Sequence, residues 1–279
     1  MNQPVSLIST ELPLSLSTCS TRVAIALENV AFAYADSPST LENISLNICE
    51  GERVGLIGHN GCGKTTLFML ICGLLTPSAG QISLFGQPVR PNQFCPEVGF
   101  LFQDPEDQLF SPSVWDDVAF GPQNLGLPEL EVAERVKAAL NLTGTTALAQ
   151  RPPHHLSGGE KQMVAIAGLL SMMPRVMLYD EPTASLDLRT RRRLIQFLQR
   201  TEETLVLASH DLEFLLEVCD RIILVDDGRV IADADPVTVM GDAILMEQHG
   251  LEKPHSLIPH ISPHHGRFGS EIIRDRIPE

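Results

Sequence analysis

The chain has 279 residues, of which 43% are hydrophobic and 20% charged. That is a globular composition, long enough for one large domain with appendages, and it excludes a disordered chain. Twenty basic residues against 35 acidic ones leave a net charge of −15, which argues against general affinity for nucleic acid. Aromatics are 5% with one tryptophan, Trp115, too few for a surface that stacks bases.

The segment Met1 to Thr21 is rich in Ser, Thr and Leu and has no basic residue, so it lacks the charged start of a signal peptide. It is expected to be a loose leader covering residues 1–22. Val23 to Val30 alternates as a strand does and continues toward Phe32 and Tyr34. Leu46 to Ile48 and Arg53 to Ile57 are further strands. A glycine-rich loop follows, then helical spacing from Thr65 to Leu75. Gln81 to Leu84 and Val98 to Phe102 are short strands, and Glu129 to Leu140 and Gly158 to Met172 are helices. Val176 to Tyr179 is a wholly apolar strand. Leu188 to Gln199 is a basic amphipathic helix. Leu205 to Ala208 is a strand, Leu212 to Val218 a helix and Ile222 to Val225 a strand. Asp227-Gly228 turns the chain into Val230 to Ile231. Strands alternating with helices predict a parallel-containing α/β sheet preceded by antiparallel strands. A helical insert is expected at about 105–172. From Pro236 the chain is expected to be irregular. No apolar run approaches the roughly 18 residues that span a bilayer. The six cysteines, Cys19, Cys49, Cys62, Cys72, Cys95 and Cys219, form no Cys-x-x-Cys pair and read as reduced thiols.

Gly58-His59-Asn60-Gly61-Cys62-Gly63-Lys64-Thr65 fits Gly-x4-Gly-Lys-Thr between a strand and a helix. The glycines let successive backbone N–H groups face phosphate oxygens, and the helix adds its positive dipole end. Lys64 is placed to reach the terminal phosphates and the Thr65 hydroxyl to ligate Mg2+. Cys62 is short, near a helix N-terminus and beside Lys64, which favours a reactive thiolate; a buried inert thiol is the alternative. Asp180 and Glu181 end an apolar strand. A carboxylate there can hold Mg2+ through water, and Glu181 can polarise a water for in-line attack. Leu156-Ser157-Gly158-Gly159-Glu160 opens a helix, and Ser157 with two glycine amides reads as an anion nest or as a plain N-cap.

With these motifs in order, the chain resembles the ATP-binding subunits of ABC transporters. The likeness runs from about Val23 to Asp235 and includes Thr66 in the loop, Gln103 after a strand, Ser185-Leu186-Asp187 and Ser209-His210. It implies an α/β fold, a P-loop NTPase core of ABC ATPase type with an antiparallel β subdomain and a helical subdomain. The ATPase domain would be residues 23–235, with a tail at 236–279. It also implies roles: Tyr34 stacks on adenine, with Phe32 as the alternative; Gln103 reaches Mg2+ and the attacking water; His210 contacts the γ-phosphate and holds Glu181; Asp187 links two active sites. The nucleotide is sandwiched between the phosphate loop of one chain and Ser157, Gly158 and Gly159 of another, so a second ATPase chain is implied.

The segments Val98 to Phe110 and Asp117 to Pro128 narrow the likeness, with Ala165-Ile166-Ala167-Gly168 and Leu245 to Leu251. They look like the energy-coupling-factor ATPases of prokaryotic vitamin and metal uptake, above all the cobalt- and nickel-associated ones. Those ATPases sit peripherally on the cytoplasmic face of the membrane. Their partners are a transmembrane coupling protein, whose arginines enter ATPase grooves, and a small membrane protein that captures substrate. Asp104, Glu106 and Asp107 are candidates for those arginines, or a solvated acidic loop. Rival readings are another ABC transporter class or a soluble ABC ATPase acting on DNA or ribosomes. Departures are Glu160, where glutamine is commoner, and Trp115, where a smaller residue is. His249, His255, His260, His264 and His265 in the tail read as a flexible polar segment or as metal ligands.

Overall fold

The computed structural model describes residues 22–35, 37–184 and 186–258. The leader up to Thr21, Ser185 and the distal histidines His260, His264 and His265 lie outside the described residues.

The first third of the chain is strand-rich. β1 (Val23–Tyr34) and β2 (Ser37–Cys49) form a long antiparallel pair, with Val23 opposite Cys49 and Tyr34 opposite Ser37. β3 (Arg53–Ile57) leads through the glycine loop into α1 (Lys64–Ile71). β4 (Ala79–Leu84) pairs with the other edge of β1, and β5 (Gln87–Pro88) follows it. β6 (Val98–Leu101) enters a second sheet. Three helices come next: α2 (Val114–Asn124), α3 (Glu129–Leu142) and α4 (Gly158–Leu170). Then follow β7 (Val176–Asp180), α5 (Leu188–Leu198), β8 (Thr204–Ala208), α6 (Leu212–Val218), β9 (Arg221–Asp226) and β10 (Arg229–Ala234).

The second sheet has the order β10-β9-β3-β8-β7-β6, parallel except for β10. β7 and β8 are buried at every position. Helices or a second sheet cover both faces, so these strands read as continuous apolar runs. On one face Phe68 and Ile71 of α1 pack with Ile25, Leu41 and Ile44 of the antiparallel sheet. On the other, Ile166, Leu194 and Phe214 pack on Met177, Tyr179 and Leu207. Val118, Val136, Leu140 and Val164 build a separate core for α2, α3 and α4. β9 turns into β10 through Asp227 (φ 44°) and Gly228 (φ 71°), the two positive φ values of a tight hairpin. A Cβ on Gly228 would lie 2.6 Å from the Thr40 carbonyl oxygen.

Two expectations are corrected. The chain after Pro236 is not irregular over its first part: it forms α7 (Pro236–Gly241) and α8 (Ala243–Gln248). Asp235 and Asp242 cap them by accepting from Val237, Thr238, Ile244 and Leu245 N–H groups. Val239, Met240 and Met246 are buried in the main core, and that burial offsets the weak propensity of such short helices. The cysteines are not uniformly reduced: Cys62, Cys72, Cys95 and Cys219 are free, but Cys49 is disulfide-bonded.

Candidate active site

β3 places a loop at its carboxyl end, and α1 begins at Lys64 behind a left-handed Gly63 (φ 107°). Gly58 starts the loop at φ 152°, where a Cβ would stand 2.1 Å from the Val225 carbonyl oxygen. Only glycine lets the loop pass this close to β9. Lys64 is buried and its Nζ donates to the carbonyls of Gly58 (2.8 Å) and His59 (3.0 Å). Its charge is thus held under the curled loop.

The loop opens onto a cleft of 630 Å³ lined by Tyr34, Asn60, Gly61, Gly63, Lys64, Thr65, Thr66, Gln103, Asp180, Glu181 and His210. Thr65 Oγ1 donates to Asp180 Oδ2 at 2.6 Å. Burial pushes the Asp180 carboxyl up, while the Thr65 bond and the charges of Lys64 and His210 pull it back. Thr65 and Asp180 together present hard oxygen donors beside the phosphate loop, which suits Mg2+. Tyr34 ends β1, is exposed, and lies 3.3 Å from Thr66 Oγ1 through its hydroxyl. Phe32 meets its ring edge-on and does not line the cleft.

Glu181 has a left-handed backbone (φ 48°), held by its N–H to the Ala208 carbonyl at 2.8 Å. One carboxylate oxygen, Oε2, accepts from the Ser209 hydroxyl (3.3 Å) and the His210 N–H (3.1 Å). The other, Oε1, is buried and has no protein hydrogen bond. His210 Nε2 is 3.4 Å from it but bonds Asn60 Oδ1 at 2.6 Å. The result is a fixed carboxylate with one oxygen left without a protein hydrogen bond, beside His210. Gln103 is exposed after β6. Gln108 braces the preceding backbone, bonding the Phe102 N–H and the Phe100 carbonyl. Sequence reading missed Gln108. It also missed Asp211, which caps α6 and is forked by Arg191 at 2.6 and 3.1 Å. A capping aspartate before an apolar run was the available signal for Asp211.

Other expected residues lie elsewhere. His59 and Cys62 do not line the cleft. Cys62 is 2% exposed, and burial pushes its thiol up more strongly than Lys64 pulls it down. The reactive thiolate expected at Cys62 is therefore corrected: the side chain turns into the core, where desolvation outweighs the nearby charge. Ser157, Gly158 and Gly159 stand at the start of α4, outside the cleft. The Ser157 N–H and hydroxyl both donate to Glu160 Oε2 at 2.8 Å, and Glu160 N–H returns a bond to Ser157 Oγ. This is a capping box. Asp187 is exposed and caps α5 through the Thr190 N–H at 2.8 Å.

Residues 41–184 match the ABC transporter family. The chain belongs to the ABC transporter ATPases. An ABC transporter ATP-binding protein of Synechocystis is 59% identical over 84% of this chain and 82% of its own length. The energy-coupling factor transporter ATP-binding protein EcfA of Methanothermobacter thermautotrophicus is 42% identical over 83% of this chain and 77% of its own. Among solved structures, CbiO1 of Clostridium perfringens, described as part of the CbiONQ ABC transporter complex, aligns with a TM-score of 0.73 and 36% identity. It covers 81% of this chain and 94% of its own. This ABC ATPase is thus of the energy-coupling-factor type. Its two sheets and helices are the fold that the motifs implied.

Proposed function

We propose that this ATPase drives an importer for cobalt or nickel ions, or for a vitamin such as biotin, from the cytoplasmic face of the membrane. It works as a pair of identical chains beneath a transmembrane coupling protein and a small capture protein. Residues 23–235 act as the ATPase domain, with the helical insert at about 105–172 and appendages at 1–22 and 236–279. None of the helices among the described residues is long and apolar enough to cross a membrane.

One observation carries the dimer. The phosphate-loop cleft of a single chain lacks Ser157, Gly158 and Gly159, which open α4 elsewhere. A second chain supplies them. Lys64 and the loop amides hold the β- and γ-phosphates, and Tyr34 stacks on the base. Thr65 and Asp180, with Gln103, would hold Mg2+. When bound, that ion neutralises charge on the phosphates. Glu181 Oε1 accepts a hydrogen bond from the attacking water and orients it. His210 stays beside Glu181 and faces the γ-phosphate. Asp187 lies toward the second site.

The coupling contact has a structural candidate. Phe94, Phe110 and Phe120 are exposed around a 610 Å³ groove that also includes Asp107. An apolar groove with an acid at its edge fits a helix carrying arginine. Glu106 instead pairs with Lys161, and Asp104 accepts from the Glu106 N–H, so of these three loop acids Asp107 is the one we assign to a partner; Asp117 also lines the groove, with Oδ1 taken by the Phe110 and Ser111 N–H groups. The test is co-purification with the membrane partners, followed by reconstitution into vesicles. ATP-driven uptake of labelled Co2+ or Ni2+ in preference to biotin is expected. Asp107→Lys is expected to lose the membrane complex while the isolated chain keeps its ATPase rate. A complex that survives and transports normally would remove the groove from this role.

A further inference from the structure

The phosphate loop has a second polar cluster on its outer side. The His59 ring turns from the cleft toward the turn between β9 and β10. Its Nδ1 lies 2.7 Å from the Asn60 carbonyl oxygen. A carbonyl oxygen only accepts, so Nδ1 carries the proton and a neutral ring leaves a lone pair on Nε2. That nitrogen stands 2.8 Å from Asp226 Oδ1, itself a lone-pair donor. A positive centre shared between them, a proton or a metal ion, makes that approach favourable, and Oδ1 also accepts from the Asp227 N–H at 3.0 Å. Asp227 adds a third donor, and the ligand atoms of His59, Asp226 and Asp227 all lie within 4.8 Å of one another.

The 2.8 Å separation of His59 Nε2 and Asp226 Oδ1 suits two bonds to one small ion. Bonds of about 2.1 Å at right angles put neighbouring donors about 3 Å apart. Metal-bound histidines usually donate their other N–H to a carbonyl or carboxylate, which is what His59 does with Asn60. The second oxygen of Asp226 is held in turn by His249 Nδ1 at 2.5 Å. One imidazole with two carboxylates favours a borderline transition ion over Mg2+ or Ca2+.

We propose that His59, Asp226 and Asp227 form a site for a divalent transition-metal ion, with His249 as the positioning residue for Asp226. The site is separate from the cleft where Thr65 and Asp180 meet. An ion there joins the first residues of the phosphate loop to the β9–β10 turn and, through His249, to the end of α8. The site is independent of what the transporter carries.

The test uses the full-length chain, stripped of metal with a chelator and free of nucleotide. Co2+ is titrated by calorimetry and by visible absorption. One saturable site without a thiolate charge-transfer band is expected. It should persist when His260, His264 and His265 in the tail are together changed to Gln. Asp227→Asn keeps a residue that tolerates the left-handed turn, and should weaken binding at least about 10-fold. His249→Gln should weaken it about 10- to 100-fold, as loss of an outer partner does. His59→Gln should abolish it. Thermal melts without metal verify that each variant is folded. The proposal is overturned if folded Asp227→Asn and His59→Gln bind Co2+ like the parent. It is equally overturned if the tail variant loses the site, if a thiolate band appears, or if no saturable binding occurs below about 1 mM.

Discussion

The surroundings of Glu181 fit the water-orienting role proposed for it. Its backbone is strained at φ 48°, one carboxylate oxygen is tied by two donors, and the other is buried and unbonded. Such strain persists only where the surroundings enforce it. Glu181→Gln keeps the shape but replaces a proton-accepting oxygen with an amide. Turnover is expected to fall about 10²- to 10⁴-fold with little change in nucleotide affinity. Phosphate release and binding of a fluorescent ATP analogue measure the two separately. Near-parental turnover would take the base role from Glu181. Cys62 gives the opposite lesson. It sits in the phosphate loop, yet burial raises its thiol above the free value. Only the thiolate reacts, and at neutral pH its fraction is smaller than for a free cysteine. Maleimide labelling of Cys62 at pH 7.5 should therefore be slower than that of an exposed thiol and should quicken as pH rises. Mass spectrometry of the labelled peptide reads this directly; rapid labelling at pH 7 would contradict the burial argument.

At the scale of elements, Arg221 is one polar tie between the two sheets. Its guanidinium forks onto Asp233 of β10 at 2.6 Å on both arms, and reaches Glu52 (3.1 Å) and the Asn47 carbonyl of β2 (2.9 Å). The Arg221 and Asp233 side chains are each 8% exposed. Removing one partner of a buried pair strands the other charge. Asp233→Ala is expected to cost about 3 kcal/mol, the low end for such losses because Glu52 remains. It should appear as a lower urea midpoint at an unchanged slope; a loss below about 1 kcal/mol would mean that water or Glu52 compensates. None of this was legible in the sequence, because the partners are far apart in the chain and single charges have no period. What was legible had a repeat or a motif. The apolar runs at Val176 to Tyr179 and Leu205 to Ala208 became β7 and β8, and Asp227-Gly228 became the hairpin. α7 and α8 were too short to show periodicity, and their capping aspartates, Asp235 and Asp242, were the overlooked signal.

At the scale of the molecule, the residues proposed to bind phosphate divide between two places. Lys64 is buried beneath the loop, where it stands ready for phosphate. Ser157 opens α4 apart from the cleft, with its N–H and hydroxyl taken by Glu160. On the proposed two-chain site, a phosphate held by a second chain displaces the Glu160 carboxylate from Ser157 before it uses that hydroxyl. The exchange is reasonable, since a carboxylate at a helix N-terminus and a phosphate satisfy the same donors. Two variants separate the halves. Lys64→Ala removes the principal positive charge of the cleft and is expected to lose ATP binding by the monomer, with hydrolysis falling as a consequence. Ser157→Ala removes nothing from the cleft, so monomer binding should stay within about twofold while dimer closure and hydrolysis fail. It also removes an N-cap, which costs about 1 kcal/mol of helix stability. Ser157→Asn restores the cap without the hydroxyl, and should recover the melting temperature but not the hydrolysis. Equilibrium binding to dilute protein, sedimentation with ATP in the Glu181→Gln background, and steady-state turnover give the three readouts. Equal loss of monomer binding in the Lys64 and Ser157 variants would place both groups on one nucleotide within one chain, and the two-chain site would fall.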